Sequence, residues 1–400
     1  MPRHKKKLLF LTNDYPPNEG GMETCALELS EGFKKFYDVT VITGSPATKK
    51  KSIRFCSNGT SSSSVTNKNE TSVCFFKIKR INYPRFYPLK FFIIFFTLIY
   101  EALISGYDLI YINTWSPFGL PALLISKIFG INYYITCHGL DIIEPIKSKF
   151  HKKCMYIVFN SASKLFCVSR YTANILSTTT IIKNPEIIKV VNNGINISKF
   201  YPIDKIKSRK KLGIPDKFVI LTVSRLTVRK GHKTVIKALS KLTDIPDIIY
   251  IVCGRGECGK ELHDFTKSMN LSDKVLFTGF VDNKDLLYYY NACDVFVMLS
   301  DEFFESGEVE GFGISYIEAN ACGKPVIALK KAGAVDAVKH NFTGFLIEPK
   351  CDIETEFANI LRNLYNDKTL LTAIGNSALK YVTENYLWER QIEKYRIEME

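Results

Sequence analysis

Short apolar runs alternate with segments long enough to form a helix along the whole chain. The runs hold three to six residues each and are bounded by polar or turn-forming residues. Parallel strands need long crossover connections, usually helices, so this alternation predicts a doubly wound α/β fold with parallel sheets. The predicted strands are Leu8–Thr12, Val39–Thr43, Val73–Lys77, Leu109–Asn113, Tyr133–Cys137, Leu165–Val168, Val190–Asn192, Val219–Val223, Ile248–Cys253, Val275–Thr278, Val295–Leu299, Val326–Ala328 and Gly344–Ile347.

The length of the chain predicts two domains. Its 400 residues are more than a single core usually holds. Phe200–Asp204 and the basic segment that follows it, up to Gly213, separate the strands of the first half from those of the second. We therefore predict Rossmann-like domains over residues 1–203 and 204–400. Two such domains in series form a cleft, and ligands bind beyond the carboxyl ends of the strands.

The positive charge of the chain lies entirely in its first half. The net charge is +14, and residues 1–200 contribute 26 Lys and Arg against 12 Asp and Glu, whereas residues 201–400 contribute 28 of each. A nucleic-acid-binding protein would not be expected to be so one-sided, so we predict no nucleic-acid partner. A basic first half is compatible with an anionic membrane surface.

The longest apolar run, Phe91–Tyr100, has two interpretations. It is shorter than the roughly 20 residues that cross a bilayer, so we predict that it does not span a membrane. The first interpretation, which we favour, is a buried helix of the first domain. The second is a surface that rests on anionic lipid, because basic residues precede the run. They are Lys77, Lys79, Arg80, Arg85 and Lys90.

Cysteine usage and the start of the chain predict a cytoplasmic protein. The 11 cysteines show no paired spacing, and Cys253 with Cys258 lacks the further ligands of a zinc site. Free thiols in a reducing compartment fit this pattern. The apolar run Leu8–Leu11 is too short for a signal peptide. The Ser/Asn/Lys-rich stretch over 49–71 is interpreted as a loop.

Gly20 and Gly21 follow the first predicted strand and two prolines, just before a helix. Glycine lets the backbone approach a ligand closely, and a helix N-terminus favours an anion. A plain turn explains the pair equally well.

Three cations follow the strand Val219–Val223, namely Arg225, Arg229 and Lys230. Cations at the carboxyl end of a strand that faces a cleft are placed to neutralise phosphates. The alternative is a solvated basic loop.

Glu310 and Glu318 flank the start of a predicted helix that includes Phe312, Gly313 and Ile314. The first amides of a helix have no partner within it and bind phosphate oxygens. Glu310 is expected just before the helix and Glu318 about two turns into it, roughly 12 Å apart, which suits one carboxylate at each end of a diphosphate-bridged ligand. The simpler alternatives are a favourable helix dipole for Glu310 and solvation for Glu318.

His138 follows the strand Tyr133–Cys137, in the pattern T-x-H-G-x-D that ends at Asp141. Its ring can bond a sugar hydroxyl or a phosphate, although a lone histidine is more often structural.

Gly254, Gly256 and Gly259 match the pattern G-x-G-x-x-G after a strand, and Asp282 follows. This pattern supports a second hypothesis, an NAD-dependent oxidoreductase. Against it, the pattern lies on the second strand of its domain, and a close-packed turn explains it as well. A third hypothesis is a non-catalytic basic protein that binds membrane or nucleic acid.

Taken together, these motifs resemble the retaining glycosyltransferases of family 4, which have the GT-B fold. The layout is most similar to phosphatidylinositol mannosyltransferases and other enzymes that use GDP-mannose. The resemblance includes Gly20–Gly21, His138, Asn193-Gly-Ile-Asn196, Arg225 with Lys230, and the E-x7-E pattern of Glu310 and Glu318.

The resemblance implies a role for each residue. Arg225 and Lys230 would hold the donor diphosphate and stabilise it as it leaves, and Glu318 would bind the ribose. Glu310, with the amides of Phe312, Gly313 and Ile314, would hold the donor sugar and the pyrophosphate. Val281 would meet the base, Gly20 and Gly21 would approach the diphosphate, His138 would contact the transferred sugar, and Asp141 would contact sugar or acceptor. The catalytic set would be Glu310, His138, Arg225 and Lys230.

The resemblance also implies the reaction and its setting. A hexose, with mannose from GDP-mannose as the first expectation and a UDP-sugar as the alternative, would pass to a lipid-linked or glycan acceptor. No metal or other cofactor would be required. The first domain would bind the acceptor, the second the donor, and the last helix, about 385–400, would cross back to the first. The enzyme would be peripheral on the inner face of the membrane.

One segment departs from the family pattern. Many relatives have Gly-Gly-x-x-Glu after the strand near Val326, whereas this chain has Ala332-Gly333-Ala-Val-Asp336.

Overall fold

The computed structural model contains two parallel sheets, each flanked by helices, and it describes residues 5–18, 20–45, 77–84, 86–179, 181–302 and 309–400. The first sheet has seven strands in the order β3-β2-β1-β4-β5-β6-β7, and the second has six in the order β10-β9-β8-β11-β12-β13. All strand pairs are parallel. The predicted fold class, a GT-B-type pair of α/β domains, is thus confirmed.

The elements of the N-terminal domain are β1 (Lys7–Thr12), α1 (Gly21–Phe33), β2 (Asp38–Gly44), β3 (Lys77–Ile81), α2 (Tyr87–Ser105), β4 (Leu109–Ile112), α3 (Trp115–Phe129), β5 (Asn132–Cys137), α4 (Leu140–Ile146), α5 (Lys149–Asn160), β6 (Lys164–Cys167), α6 (Arg170–Thr178) and β7 (Ile188–Val190).

Those of the C-terminal domain are α7 (Lys205–Leu212), β8 (Phe218–Val223), α8 (His232–Leu239), β9 (Ile248–Cys253), α9 (Gly259–Ser268), β10 (Val275–Gly279), α10 (Asn283–Ala292), β11 (Val295–Met298), α11 (Ile314–Ala321), β12 (Val326–Leu329), α12 (Ala334–Ala337), β13 (Gly344–Ile347), α13 (Ile353–Asn366), α14 (Lys368–Asn385) and α15 (Trp388–Met399).

Every predicted strand except one lies within two residues of an observed strand at each end. The exception is β3, which was expected at 73–77 and is found at Lys77–Ile81. Residues 73–76 lie outside the described residues, as does the loop predicted over 49–71. The apolar pattern missed β3 because it is an edge strand of sequence KIKRI, and edge strands tolerate charged side chains.

The first sheet is buried on both faces. Leu9 and Leu11 pack on one side with α2, α3 and α5, whereas Leu8 and Phe10 pack on the other with α1. The last helix, α15, also lies on this second side, with Tyr395 in the same core. The end of the chain therefore packs against the N-terminal domain.

Helix α2 differs from the buried helix that we favoured from the sequence. Ile94, Leu98 and Ala102 are buried, but Phe92 and Phe96 on the opposite side are 52% and 62% exposed. By length and composition, Pro88–Ser105 is the one candidate membrane span among the described residues. The run Phe91–Tyr100 alone was too short to be one. The helix is therefore half core and half exposed apolar surface.

The cysteines that the structure describes are all free thiols, and only Cys351 is exposed.

Candidate active site

The carboxyl ends of the two sheets meet at a seam between the domains. A Cβ on Gly311 would lie 2.0 Å from the carbonyl oxygen of His138, and one on Gly21 would lie 3.8 Å from Ile314 Cδ1. Thr172 Oγ1 lies 3.5 Å from the carbonyl oxygen of Gly311. Residues that the sequence places in different domains are thus brought together at one seam.

Arg229, Lys230 and Glu310 form a buried ion cluster on the C-terminal side of the seam. Arg229 Nη1 donates to Glu310 Oε2 at 2.7 Å, and Lys230 Nζ donates to the same oxygen at 2.5 Å. Ser300 Oγ lies 3.2 Å from that oxygen. The three charged side chains are 9–12% exposed. One carboxylate oxygen therefore carries the contacts of two cations.

A tight turn places these cations. Val228–Lys230 form one 3-10 turn after β8, and Gly231 follows with φ 72°. A Cβ on Gly231 would lie 2.2 Å from the carbonyl oxygen of Leu299, at the end of β11. Because only glycine fits both the left-handed backbone and this approach, the turn is held against the strand that leads to Glu310.

Burial and charge shift the pKa values of the cluster in opposite ways. Burial alone would raise the pKa of Glu310, but Lys230 and Arg229 outweigh it and lower this pKa to about 2. Burial lowers the pKa of Lys230 to about 8, against the attraction of Glu310 and with repulsion from Arg229 and Arg225. At neutral pH the cluster therefore holds one anion and two cations.

The two arginines of the cationic loop differ in their contacts. Arg225, which the resemblance assigned to the diphosphate, is exposed and has no ion pair among the described residues. Arg229, which the sequence placed in the cationic loop but to which no donor role was carried over, contacts Glu310 directly. Only the turn geometry decides which of the neighbouring cations points inward.

Helix α11 begins beside this cluster. Ile314 is its first residue, so Phe312 and Gly313, which were expected in its first turn, precede the helix, and Gly313 does so with φ 89°. The amides at this end have no partner within the helix. Tyr316 OH donates to the carbonyl oxygen of Met298 at 2.8 Å and fixes the helix to β11. Phe312 is buried against Tyr386. The predicted anion-binding helix end is thus held rigidly.

Glu318 lies about one turn further along α11. Its Oε2 accepts a hydrogen bond from Tyr290 OH at 2.6 Å, and burial raises its pKa to about 7. Val281 is half-buried after β10, beyond the carboxyl end of that strand. Both residues lie in the C-terminal domain, as the prediction requires.

His138 lies at the end of β5 on the N-terminal side of the seam. Its Nε2 is 2.9 Å from the carbonyl oxygen of Asn113, and burial lowers the pKa of the ring to about 4. Because a carbonyl oxygen only accepts, Nε2 carries the proton and Nδ1 is left as an acceptor. At neutral pH His138 is therefore an uncharged group that can accept a bond from a hydroxyl.

Asp141 holds the turn that carries His138. Its Oδ1 accepts from the backbone amides of His138 and Gly139, each at 2.8 Å. Its Oδ2 is buried without a partner among the described residues, and burial raises the pKa of the carboxyl to about 7. This geometry favours a positioning role over the predicted contact with sugar or acceptor.

The glycines of the G-x-G-x-x-G pattern pack against the cationic loop. A Cβ on Gly254 would lie 1.8 Å from the carbonyl oxygen of Ser224, and one on Gly256 would lie 2.3 Å from that of Leu226. These glycines are therefore explained by close backbone packing on both sides of Arg225.

Among the residues that the structure describes, no three His, Cys, Asp or Glu side chains are grouped as metal ligands.

Comparison with known proteins identifies the family. Residues 19–199 match the model described as Glycosyltransferase Family 4, and residues 204–381 match that of Glycosyl transferases group 1. An uncharacterized glycosyltransferase of Methanocaldococcus jannaschii is 26% identical over 98% of this chain and 99% of its own length. A GDP-mannose-dependent alpha-(1-6)-phosphatidylinositol monomannoside mannosyltransferase of Mycolicibacterium smegmatis is 24% identical over 72% of this chain and 75% of its own.

A solved structure shares the fold. Anabaena HepE, in complex with UDP, superposes with a TM-score of 0.76 and 23% identity, over 98% of this chain and 99% of that one. The oxidoreductase hypothesis is set aside, because both family models are those of glycosyltransferases. The chain is therefore an enzyme that belongs to the family 4 glycosyltransferases with the GT-B fold.

Proposed function

We propose that the protein is a retaining hexosyltransferase that moves mannose from GDP-mannose to a lipid-linked or glycan acceptor at the cytoplasmic face of the membrane. The observation that supports a donor site most directly is the ion cluster of Arg229, Lys230 and Glu310 beside the free amides at the start of α11. The choice of GDP-mannose is supported by the names of relatives, of which one from Corynebacterium glutamicum is 33% identical over 49% of this chain.

The proposed chemistry rests on electrostatic stabilisation of the leaving group. The nucleoside diphosphate is already anionic and gains one further negative charge as its bond to the sugar breaks, and groups fixed in advance at that position lower the barrier most. Arg225, Arg229 and Lys230 supply the positive charge, and the amides of Gly313 and Ile314 supply hydrogen bonds. His138 remains neutral and accepts a hydrogen bond from the transferred sugar at Nδ1.

Retention of configuration would follow from attack on the same face that the diphosphate leaves. In that proposal the acceptor oxygen bonds to the anomeric carbon while the bond to the phosphate oxygen breaks. The departing phosphate takes the proton of the acceptor hydroxyl, so no side chain needs to act as the base.

A panel of donors tests the proposal. The enzyme is incubated with GDP-mannose, UDP-glucose, UDP-galactose and UDP-N-acetylglucosamine, and the free nucleotide is measured. We expect release of GDP from GDP-mannose, and at least half of that rate in the presence of EDTA because the chain itself supplies the cations. Turnover of a UDP-sugar alone would favour the alternative donor, which is supported by the UDP bound to HepE.

The exposed side of α2 supports the membrane part of the proposal. Leu89, Phe92, Phe96, Tyr100 and Leu103 are 50–69% exposed and follow one another at intervals of three or four residues. This spacing places them on one face of the helix. A contiguous apolar face of this size is typical of a surface that contacts membrane or protein.

Helices near α2 also expose apolar side chains, and one of them carries positive charge. Helix α2 packs against α3, where Ile128 is 59% exposed, and α3 packs against α5, where Phe150 is 59% exposed. A groove of about 450 Å³ beside α5 is lined by Tyr156, Ile157 and Ile181 and by three lysines. They are Lys149, Lys152 and Lys153, and none has an acidic partner among the described residues. Apolar side chains beside unpaired lysines fit an anionic bilayer.

Replacing Phe92 and Phe96 with serine is expected to weaken binding to anionic vesicles by at least 30-fold. Each phenylalanine contributes roughly 2 kcal/mol when it is buried, and about 1.4 kcal/mol corresponds to a factor of ten. Flotation with phosphatidylglycerol-containing vesicles measures the effect. The matched control is Ile206→Ser with Ile397→Ser, which removes side chains that are 75% and 61% exposed on α7 and α15. Equal binding of both double variants would contradict the proposed surface.

A further inference from the structure

One ion pair joins the two domains at the edge of the active-site seam. Arg170, the first residue of α6, donates its backbone amide to Asp336 Oδ2 at 2.7 Å and its Nε to Asp336 Oδ1 at 2.5 Å. Apart from the pairs that α15 makes, it is the one ion pair between the domains among the described residues. The carboxylate of the C-terminal domain thus caps a helix of the N-terminal domain.

The two partners differ in burial. The Arg170 side chain is 67% exposed, whereas that of Asp336 is 8% exposed. An isolated ion pair on the surface contributes little, but this carboxylate accepts two hydrogen bonds, one of which comes from the free amide of Arg170 at the positive end of α6. The contact is therefore stronger than an ordinary surface ion pair.

The loop before Asp336 is tied to the donor site. The backbone amide of Gly333 donates to the carbonyl oxygen of Glu310 at 2.9 Å. A Cβ on Gly333 would lie 2.1 Å from the carbonyl oxygen of Gly311. Ala332 has φ 48°, the left-handed backbone that glycine adopts freely. A movement of Asp336 is therefore transmitted to the backbone that carries Glu310.

The same loop is also tied to the segment that returns to the N-terminal domain. Tyr386 OH donates to the carbonyl oxygen of Asp336 at 2.6 Å. The carbonyl oxygen of Tyr386 accepts from the amide of Ile195 at 2.6 Å, just before α15. The Asp336 loop thus lies between the donor-site carboxylate, the N-terminal domain and the crossover.

We infer that Asp336 and Arg170 are positioning residues that hold the domains closed, so that His138 meets a donor bound at Glu310. Neither residue contacts the reacting atoms. The inference rests on the glycosyltransferase activity of the family but not on the choice of GDP-mannose.

The test compares Asp336→Asn and Arg170→Ala with the control Arg362→Ala. Arg362 is a half-buried arginine that also forms an ion pair, with Asp244 at 2.8 Å, but both lie in the C-terminal domain. Because a misplacement of about 1 Å costs up to roughly 100-fold in rate, we expect kcat to fall by about 10- to 100-fold in Asp336→Asn. We expect a smaller fall in Arg170→Ala, which keeps the backbone bond, and no change in the control.

Two further measurements separate closure from stability. The Kd for GDP and for UDP should stay within twofold of the unchanged protein, since the side chains proposed to hold the nucleotide, Arg225, Lys230 and Glu318, all lie in the C-terminal domain. Small-angle scattering with saturating nucleotide should give a larger radius of gyration for Asp336→Asn, whichever donor the enzyme uses. An unchanged kcat and radius of gyration in folded Arg170→Ala and Asp336→Asn would overturn the inference. If Asp336→Asn does not fold, the result for Arg170→Ala alone supports or overturns the inference. That variant is expected to fold because the Arg170 side chain is largely exposed.

Discussion

The variant Glu310→Gln should lose at least 99% of its turnover and also unfold more easily. Removal of the anion leaves Arg229 and Lys230 buried side by side without a counter-charge. An unpaired buried charge of this kind costs about 3 kcal/mol or more in the free energy of unfolding. The loss of turnover follows because repulsion moves both cations away from the position that the diphosphate requires.

Activity and stability are separated by measuring both. The nucleotide-release assay is run well below the midpoint of thermal unfolding, which we expect to fall by roughly 6–12 °C for a domain of this size. The matched control is Glu348→Gln, since Glu348 pairs with Lys330 at 2.5 Å on the surface. That variant should change the free energy of unfolding by about 0.5 kcal/mol or less. A folded Glu310→Gln enzyme with normal turnover would show that the cluster is structural only.

The variant Lys230→Met should reduce kcat/KM for the donor by about 100- to 1,000-fold, the usual effect of removing one stabilising donor at a developing anion. We expect a smaller loss of stability than in Glu310→Gln, because Arg229 still neutralises Glu310. Lys233→Met is the control, since Lys233 lies three residues away on α8 and is exposed. If Lys230→Met turned over the donor normally, Lys230 would have no contact with the diphosphate.

The pKa of Lys230 gives this prediction a pH dependence. Its value of about 8 lies below the ordinary 10.5 of lysine, with burial as the main cause. We expect kcat/KM to fall as pH rises through about 8, because the ammonium that faces the diphosphate is lost. The free energy of unfolding should instead rise with pH between about 8 and 10.5, since the unfolded chain then binds more protons than the folded one. The alkaline fall in kcat/KM should be absent in Lys230→Met.

The sequence by itself determined the fold and the location of the site. Strands such as Ile248–Cys253 are buried on both faces, so their apolar runs mark them without any knowledge of their neighbours. Parallel strands all end at the same edge of a sheet, so a polar residue just after a strand, such as His138, falls at the cleft. Only β3 was not predicted at its observed position, because the charged side chains of this edge strand leave no apolar pattern.

Only the tertiary structure decided which side chains act together. Arg229 rather than Arg225 contacts Glu310 because of a 3-10 turn held by Gly231, and no local pattern distinguishes these two cations. Helix α2 is apolar all round, so its periodicity could not show that Phe92 and Phe96 face outward while Ile94 packs inward. Arg170 and Asp336 are 166 positions apart and meet only when the two sheets come together. Periodicity is a property of one element, whereas exposure and charge pairing depend on which other elements pack against it.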